Sequence, residues 1–251
     1  MLPTPSTSHV PYERVYEPAE DSYLLLDTLS SSAEISFLKT RFPGSSTPLL
    51  CEVGTGSGVV LAFVASNAHT IFGRSDVLAL GIDVNPYACT ATAKTIRTAL
   101  DASSDTVDTR PHFIGAINSD LTSSLKPGSV DVLIFNPPYV PAPLPDHSLH
   151  RSEGPGVLSS HQAFERDSHL LALSYAGGEE GMEVTDRLLE QVPQVLSQIG
   201  VAYVLLCAQN KPRAVMERIR EWEGMWRVDI VGDSGGKAGW EKLVVLRIWQ
   251  S

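Results

Sequence analysis

Leu49-Leu50-Cys51-Glu52-Val53-Gly54-Thr55-Gly56-Ser57-Gly58 reads as a short buried strand running into a glycine-rich turn, and Val59 to Ser66 continues as an apolar helix. Glycines spaced in this way permit a tight turn and let a ligand approach the backbone. Outward from this unit the same alternation recurs. Val77 to Asp83 reads as a strand and Pro86 to Leu100 as a helix with proline at its start, followed by a polar loop, Asp101 to Arg110. Phe113 to Ile117 and Val130 to Phe135 are further strands. Helices are expected within 161–175 and over Glu183 to Leu196. Val201 to Cys207 is a strand and Arg213 to Glu223 a helix, and Trp226 to Val231 pairs with Leu243 to Trp249 as a closing hairpin. Near-continuous apolar strands separated by helices imply an α/β fold: a seven-stranded, mostly parallel sheet with helices on both faces and a C-terminal antiparallel hairpin.

Toward the N-terminus, Glu20 and Asp21 favour the first turn of a helix starting near Pro18, and Tyr23, Leu24, Leu26 and Leu29 supply its apolar face. Residues 1–11 are rich in Pro, Ser and Thr and are expected to be loose. Residues 142–173 read as an irregular substrate-side loop leading into a helix. With no internal repeat, the 251 residues are expected to form a single domain.

Composition narrows the partners. Lys and Arg number 19 against 29 Asp and Glu, a formal charge of −10, and no basic block occurs. Nucleic-acid binding needs several phosphates neutralised, so direct DNA or RNA binding is not expected. Cys51, Cys89 and Cys207 are scattered, without C-x-x-C spacing, and Cys51 and Cys207 lie in apolar runs, as in a reducing compartment. Met1-Leu2-Pro3-Thr4-Pro5 does not resemble a signal peptide, and no apolar run approaches the roughly 18 residues of a membrane helix. A cytoplasmic protein, with the nucleus also open to it, is the expectation. His147 and His150 lack a completing Cys or acid pair, so no metal site is expected. Trp222, Trp226, Trp240 and Trp249 are expected to pack the closing hairpin and its helix.

The chemistry concentrates where strands end. Asp83 closes the second strand, where a carboxylate can accept both hydroxyls of a ribose. Glu52 sits just before the glycines, where phosphate loops avoid negative charge, and no Lys follows. An acidic entry suits a cationic ligand bearing an amino group and a sulfonium. Asp120 and Leu121 follow the third strand, placed to bind a base edge and pack on its face. These loops fall on the carboxyl rim of the sheet, where open α/β folds bind ligands. The fourth strand stops at Asn136-Pro137-Pro138-Tyr139. Proline fixes its own backbone, donates no hydrogen bond, and forces Asn136 out of helical geometry. The result is a rigid, acceptor-rich corner able to hold a planar NH2 group by both hydrogens, with the Tyr139 ring packed on its plane.

Together these spacings resemble the class I S-adenosylmethionine-dependent methyltransferases. Val15-Tyr16-Glu17-Pro18-Ala19-Glu20-Asp21-Ser22-Tyr23-Leu24-Leu25-Leu26, the 52–58 loop and Asn136-Pro137-Pro138-Tyr139-Val140 look like the HemK-type glutamine methyltransferases, from about Tyr16 to Ile248. The start without a helical domain before Pro18, and Ala176-Gly177-Gly178 with Gly181, look like the eukaryotic and archaeal branch. The resemblance implies a catalytic subunit that methylates the glutamine of the Gly-Gly-Gln loop in the eukaryotic class I release factor. It implies S-adenosyl-L-methionine as cofactor and a heterodimer with a small zinc-binding activator protein. It also implies cofactor and active-site roles for Ser22, Glu52, Gly54, Gly56, Asp83, Asp120, Leu121 and Asn136, with Asn136, Pro137 and Tyr139 at the reacting nitrogen. The third strand, Phe113 to Ile117, would be an apolar sheet edge open to the activator. Two other substrates fit the same corner: a protein lysine, which would suit an acidic enzyme, and, disfavoured by the charge, adenine N6 of DNA.

Overall fold

The computed structural model describes residues 2–44, 46–102, 111–145, 160–235 and 242–251. Its strands are β1 (Leu49–Val53), β2 (Leu78–Asp83), β3 (His112–Asn118), β4 (Val130–Phe135), β5 (Leu196–Leu206), β6 (Trp226–Asp233) and β7 (Val244–Gln250). They form one sheet in the order β3-β2-β1-β4-β5-β7-β6. β1 to β5 run parallel, and β7 is antiparallel to both β5 and β6. The expected α/β architecture with its closing antiparallel hairpin is therefore present. The direction of winding reverses beside β1, between β2 on one side and β4 on the other, and a crevice opens at such a reversal.

The helices among the described residues are α1 (Glu20–Leu29), α2 (Ser32–Arg41), α3 (Val59–Ser66), α4 (Ala68–Phe72), α5 (Pro86–Ala102), α6 (Ser160–Tyr175), α7 (Glu183–Val195) and α8 (Pro212–Arg220). Strand alternation divides the core between the two sheet faces. Leu50, Val132, Ile134, Tyr203 and Val245 pack with α1 to α5 on one face. Cys51, Val53, Leu133, Phe135 and Val204 pack with α7 and α8 on the other. Val59 to Ala65 of α3 are all buried, each large side chain stabilising the fold by about 1.5–3 kcal/mol. Gly58, at φ 77°, lets this helix start against α5: a Cβ there would lie 2.7 Å from the Thr92 Cα.

Three features depart from the sequence expectation. α2 and α4 occupy stretches that read as loop. β5 begins at Leu196, with an irregularity between the Val130–Leu196 and Val132–Val201 pairs, so the helix before it stops at Val195. α2 owes its place to long-range bonds: Arg41 donates to the Ile199, Gly200 and Gln250 carbonyls at 2.7, 3.3 and 2.8 Å. Most of the expected 101–110 loop, together with His147, His150 and Trp240, lies outside the described residues. Of the other tryptophans, Trp222 and Trp226 meet edge to face, while Trp249 packs on Phe37 of α2.

Candidate active site

The rim of β1, β2 and β4 encloses a cavity whose lining includes Ser22, Glu52, Gly54, Gly56, Asp83, Asp120, Leu121 and Asn136. All eight residues assigned to cofactor and active site from the sequence are thus brought together from five separate segments. Pro137 is buried and is not part of the lining, which takes Pro138 instead. The Tyr139 ring is also outside the lining and packs on the core of the α1–α5 face. The expected aromatic cover of a substrate amide is therefore not the position this ring holds. Tyr16, Thr55, Leu144, Leu170, Leu173 and Arg187, which the sequence does not single out, complete the walls. Thr55 and Tyr16 lie within the 52–58 turn and the 15–26 motif, whereas Leu144, Leu170, Leu173 and Arg187 sit on segments whose approach to the rim is a tertiary matter, with no local signal.

Glu52 follows the parity of Leu50 along β1 and so faces α3. Its Oε2 accepts the Leu61 N–H at 3.0 Å, in the first turn of α3, whose start at Gly58 has no side chain to cap it. A carboxylate is favourable at that helix end. Burial nonetheless pushes the Glu52 carboxyl well above the usual range, the Leu61 bond opposing and the Asp83 charge adding to the rise. Asp83 accepts the N–H groups of Gly56 at 2.9 Å and Asn85 at 2.8 Å, which ties the glycine loop to the end of β2. Burial raises it to about 6, with those backbone bonds and that of Val84 opposing. The first turn of α5 is instead served by Asn85, whose Oδ1 accepts the Tyr87 N–H at 3.0 Å. Among the described residues, no ion pair reaches Asp21, Glu52 or Asp83. Asp120 differs, being half exposed and paired with Arg187 of α7. Leu121 is buried at φ 49°, a left-handed conformation that costs of order 1–3 kcal/mol and recurs at ligand sites.

The Asn136 corner is held from two sides. Behind it, Val140 pairs with Ala176, and Gly177 N–H donates to the Val140 carbonyl at 2.8 Å. Gly181, at φ 69°, lies so close that a Cβ would stand 2.0 Å from the Tyr139 carbonyl, which also accepts from Asn210 Nδ2 at 3.2 Å. In front, Asn136 Nδ2 donates to Asp21 Oδ2 at 3.1 Å. The Asn136 Oδ1 is left buried and without a hydrogen-bond partner. A buried acceptor with no partner costs about 1–3 kcal/mol, and on a cavity wall it is a place for an incoming N–H. Thr55 Oγ1, on the same wall, is likewise unpaired.

A parallel sheet of this order, with a glycine turn and strand-end acids beside the winding reversal, defines a class I methyltransferase fold. No family model matches the chain. It is 33% identical over its whole length to the eRF1 methyltransferase catalytic subunit mtq2 of Schizosaccharomyces pombe, covering 96% of that protein. It is 33% identical over 99% of its length to the human methyltransferase HEMK2, covering 97% of it. The solved E. cuniculi Mtq2–Trm112 complex, which methylates the eRF1 termination factor, aligns with 95% of this chain and 99% of its own at 24% identity and a TM-score of 0.51. The chain belongs to the HemK-type methyltransferase family that includes mtq2 and HEMK2.

Proposed function

We propose that this enzyme transfers a methyl group from S-adenosyl-L-methionine to the side-chain amide nitrogen of the glutamine in the Gly-Gly-Gln loop of the eukaryotic class I release factor. The observation that carries the reading is the buried, unpartnered Oδ1 of Asn136, a residue of the cavity lining, together with Glu52 and Asp83 of the same lining, which no ion pair reaches among the described residues. The cavity fits the donor's chemistry: Asp83 would hold the ribose hydroxyls, Glu52 the positively charged end, and Asp120 with Leu121 the base. When bound, the donor supplies an electrophilic methyl group on a sulfonium.

An amide nitrogen is a poor nucleophile because its lone pair is delocalised, so the site has to align it without withdrawing that pair. Asn136 Oδ1 accepts one amide N–H and the Pro137 carbonyl the other, which fixes the amide plane and turns the nitrogen face toward the methyl group. A donor held there would supply its methyl carbon to that nitrogen and leave as the neutral sulfide, and the proton set free would pass to water. No side-chain base is needed before attack. Alignment of this kind can contribute roughly 7–11 kcal/mol.

The partner is a small zinc-binding activator that adds a strand at β3. In support, β3 ends the sheet with Ile114 and Ile117 exposed, 53% and 36%, on an edge that invites pairing. Insolubility of the isolated chain, relieved by co-expression of the activator, supports this arrangement; an active, well-behaved monomer opposes it.

The function is tested by incubating the chain, with and without the activator, with release factor carrying either the loop Gln or a Gln→Ala change. Mass spectrometry should locate one added methylene on the Gln and none on the Ala form. Asn136→Ala should reduce turnover by on the order of 100- to 1000-fold, as when a charge-stabilising group is removed elsewhere. Donor affinity by calorimetry should stay within a few-fold. Near-normal turnover would remove Asn136 from the mechanism.

A further inference from the structure

In the sequence, Asp21 reads as an acid suited to a first helical turn, within the 15–26 motif but with no site role of its own. It stands at the second residue of α1, yet it is 3% exposed, and its carboxylate oxygens are met by donors. Oδ1 accepts the Ser22 N–H at 2.6 Å and the Ser22 hydroxyl at 3.2 Å. Oδ2 accepts the Tyr16 hydroxyl at 3.0 Å and Asn136 Nδ2 at 3.1 Å.

A side-chain carboxamide is nearly symmetric in shape but opposite in chemistry at its two ends, and only its surroundings decide which end faces where. An ionised carboxylate is an acceptor only. Facing one, the Asn136 amide has to present its NH2, which leaves the oxygen on its other side, buried and without a partner, in a residue of the cavity lining. We propose that Asp21 is the positioning residue that sets the facing of the Asn136 carboxamide, so that an acceptor and not a donor meets the substrate nitrogen. This rests on the reading of Asn136 as the acceptor of the substrate N–H. The facing of the free oxygen is thus set by a residue 115 positions earlier in the chain.

The local geometry makes the substitution Asp21→Asn diagnostic. The Ser22 N–H fixes the oxygen of the new amide on its own side, so its NH2 is directed at Asn136. Asn136 then turns its oxygen to that NH2 and its own NH2 to the cavity, where it repels the substrate amide. Asn136→Asp alone sets two carboxylates about 3 Å apart, which cannot both ionise easily. The double variant D21N/N136D restores a matched pair: the amide now at position 21 donates to one oxygen of the carboxylate now at position 136, and the other oxygen faces the cavity as an acceptor.

The experiment measures kcat and KM for release factor, and donor affinity by calorimetry, for Asp21→Asn, Asn136→Asp, the double variant and Asn136→Ala, each in the full chain with its activator. The expected result is a loss of kcat on the order of 100-fold in Asp21→Asn, comparable to a small misplacement of reacting groups, with donor affinity held within a few-fold. The double variant should exceed both single variants by at least about tenfold in kcat, the restoration that a re-formed hydrogen bond to a charged group supplies. If Asn136→Ala is inactive while Asp21→Asn keeps normal kcat, the positioning role is overturned and the function stands. If Asp21→Asn loses donor binding and thermal stability together with kcat, and the double variant is no better, Asp21 is only structural. Should Asn136→Ala itself retain turnover, the acceptor reading fails, and this inference with it.

Discussion

Two groups of buried acids occupy different parts of the molecule and are treated in opposite ways. Glu34 of α2 is 1% exposed and fully answered: Tyr203 donates to it at 2.7 Å and Arg247 at 2.7 Å. Arg247 in turn lies over both the Phe37 and Trp249 rings, 3.9 and 4.5 Å from their centres. At the rim of the sheet, Asp21, Glu52 and Asp83 are also buried, but their partners are backbone N–H groups, hydroxyls and an amide. The first group closes a charge inside the fold. The second leaves carboxyls without a cation beside a cavity, where burial disfavours the charged form of Glu52 and Asp83, a stability sacrifice that a cationic ligand would recover. Equal burial therefore separates a structural acid from a functional one by whether a cation is already built in.

The largest effect should come from breaking the closed group. Glu34→Ala leaves a mostly buried guanidinium and a fully buried tyrosine hydroxyl without their shared partner. It should destabilise the chain by about 3–5 kcal/mol in urea unfolding, the range for half of a buried ion pair. Donor affinity of the molecules that remain folded should not change. A loss of donor affinity without loss of stability would contradict the division between the two groups.

The converse change comes next. Asp83→Ala removes the acceptor assigned to the ribose and should weaken donor binding about ten- to a hundredfold, as expected for hydrogen bonds to a charged group. The same measurement on Glu34→Ala is the control, and similar losses in the two variants would erase the contrast.

The smallest effect is in the pH dependence of the donor-free chain. Asp83 rises from 3.8 to about 6 on folding, so between those values the folded chain holds a proton that the unfolded chain has released. Its contribution to stability is full below about pH 4 and is lost as pH rises through 6. Glu52, also raised, extends the loss to higher pH. The fall in melting temperature across this window should be shallower in Asp83→Asn than in the parent chain, and saturating donor should flatten it in the parent. An unchanged slope in Asp83→Asn would mean that this carboxyl is not strained by burial.

How far the sequence reveals this contrast depends on how local each signal is. Strand runs, the glycine turn and the strand-end acids Glu52, Asp83 and Asp120 are all legible, because alternation and turn chemistry leave marks within a few residues. α2 is not. Only Glu34 and Leu38 of its residues are buried, and it is fixed through Arg41 and by Arg247, over bonds spanning more than 200 positions, so no apolar stripe announces it. The extension of β5 back to Leu196 is hidden by the irregularity that separates it from Val201. At the site, Asn136 is legible from the prolines that stop β4. Asp21 is legible as a helix-start acid and not as the partner of Asn136, since that contact exists only after α1 docks on the rim. Tyr139 misleads for a related reason: an aromatic next to a ligand corner reads as a cover, but the fold gives its ring to the core and its carbonyl to Asn210.

The pinning of the substrate amide at Asn136 is tested most directly by a crystal structure of the chain with its activator, the demethylated donor product and a Gly-Gly-Gln peptide. The ribose hydroxyls should lie on Asp83, the glutamine NH2 between Asn136 Oδ1 and the Pro137 carbonyl, and the product sulfur in line with the glutamine nitrogen. A structure in which the Asn136 oxygen faces Asp21, or the sulfur lies away from this corner, would contradict that arrangement.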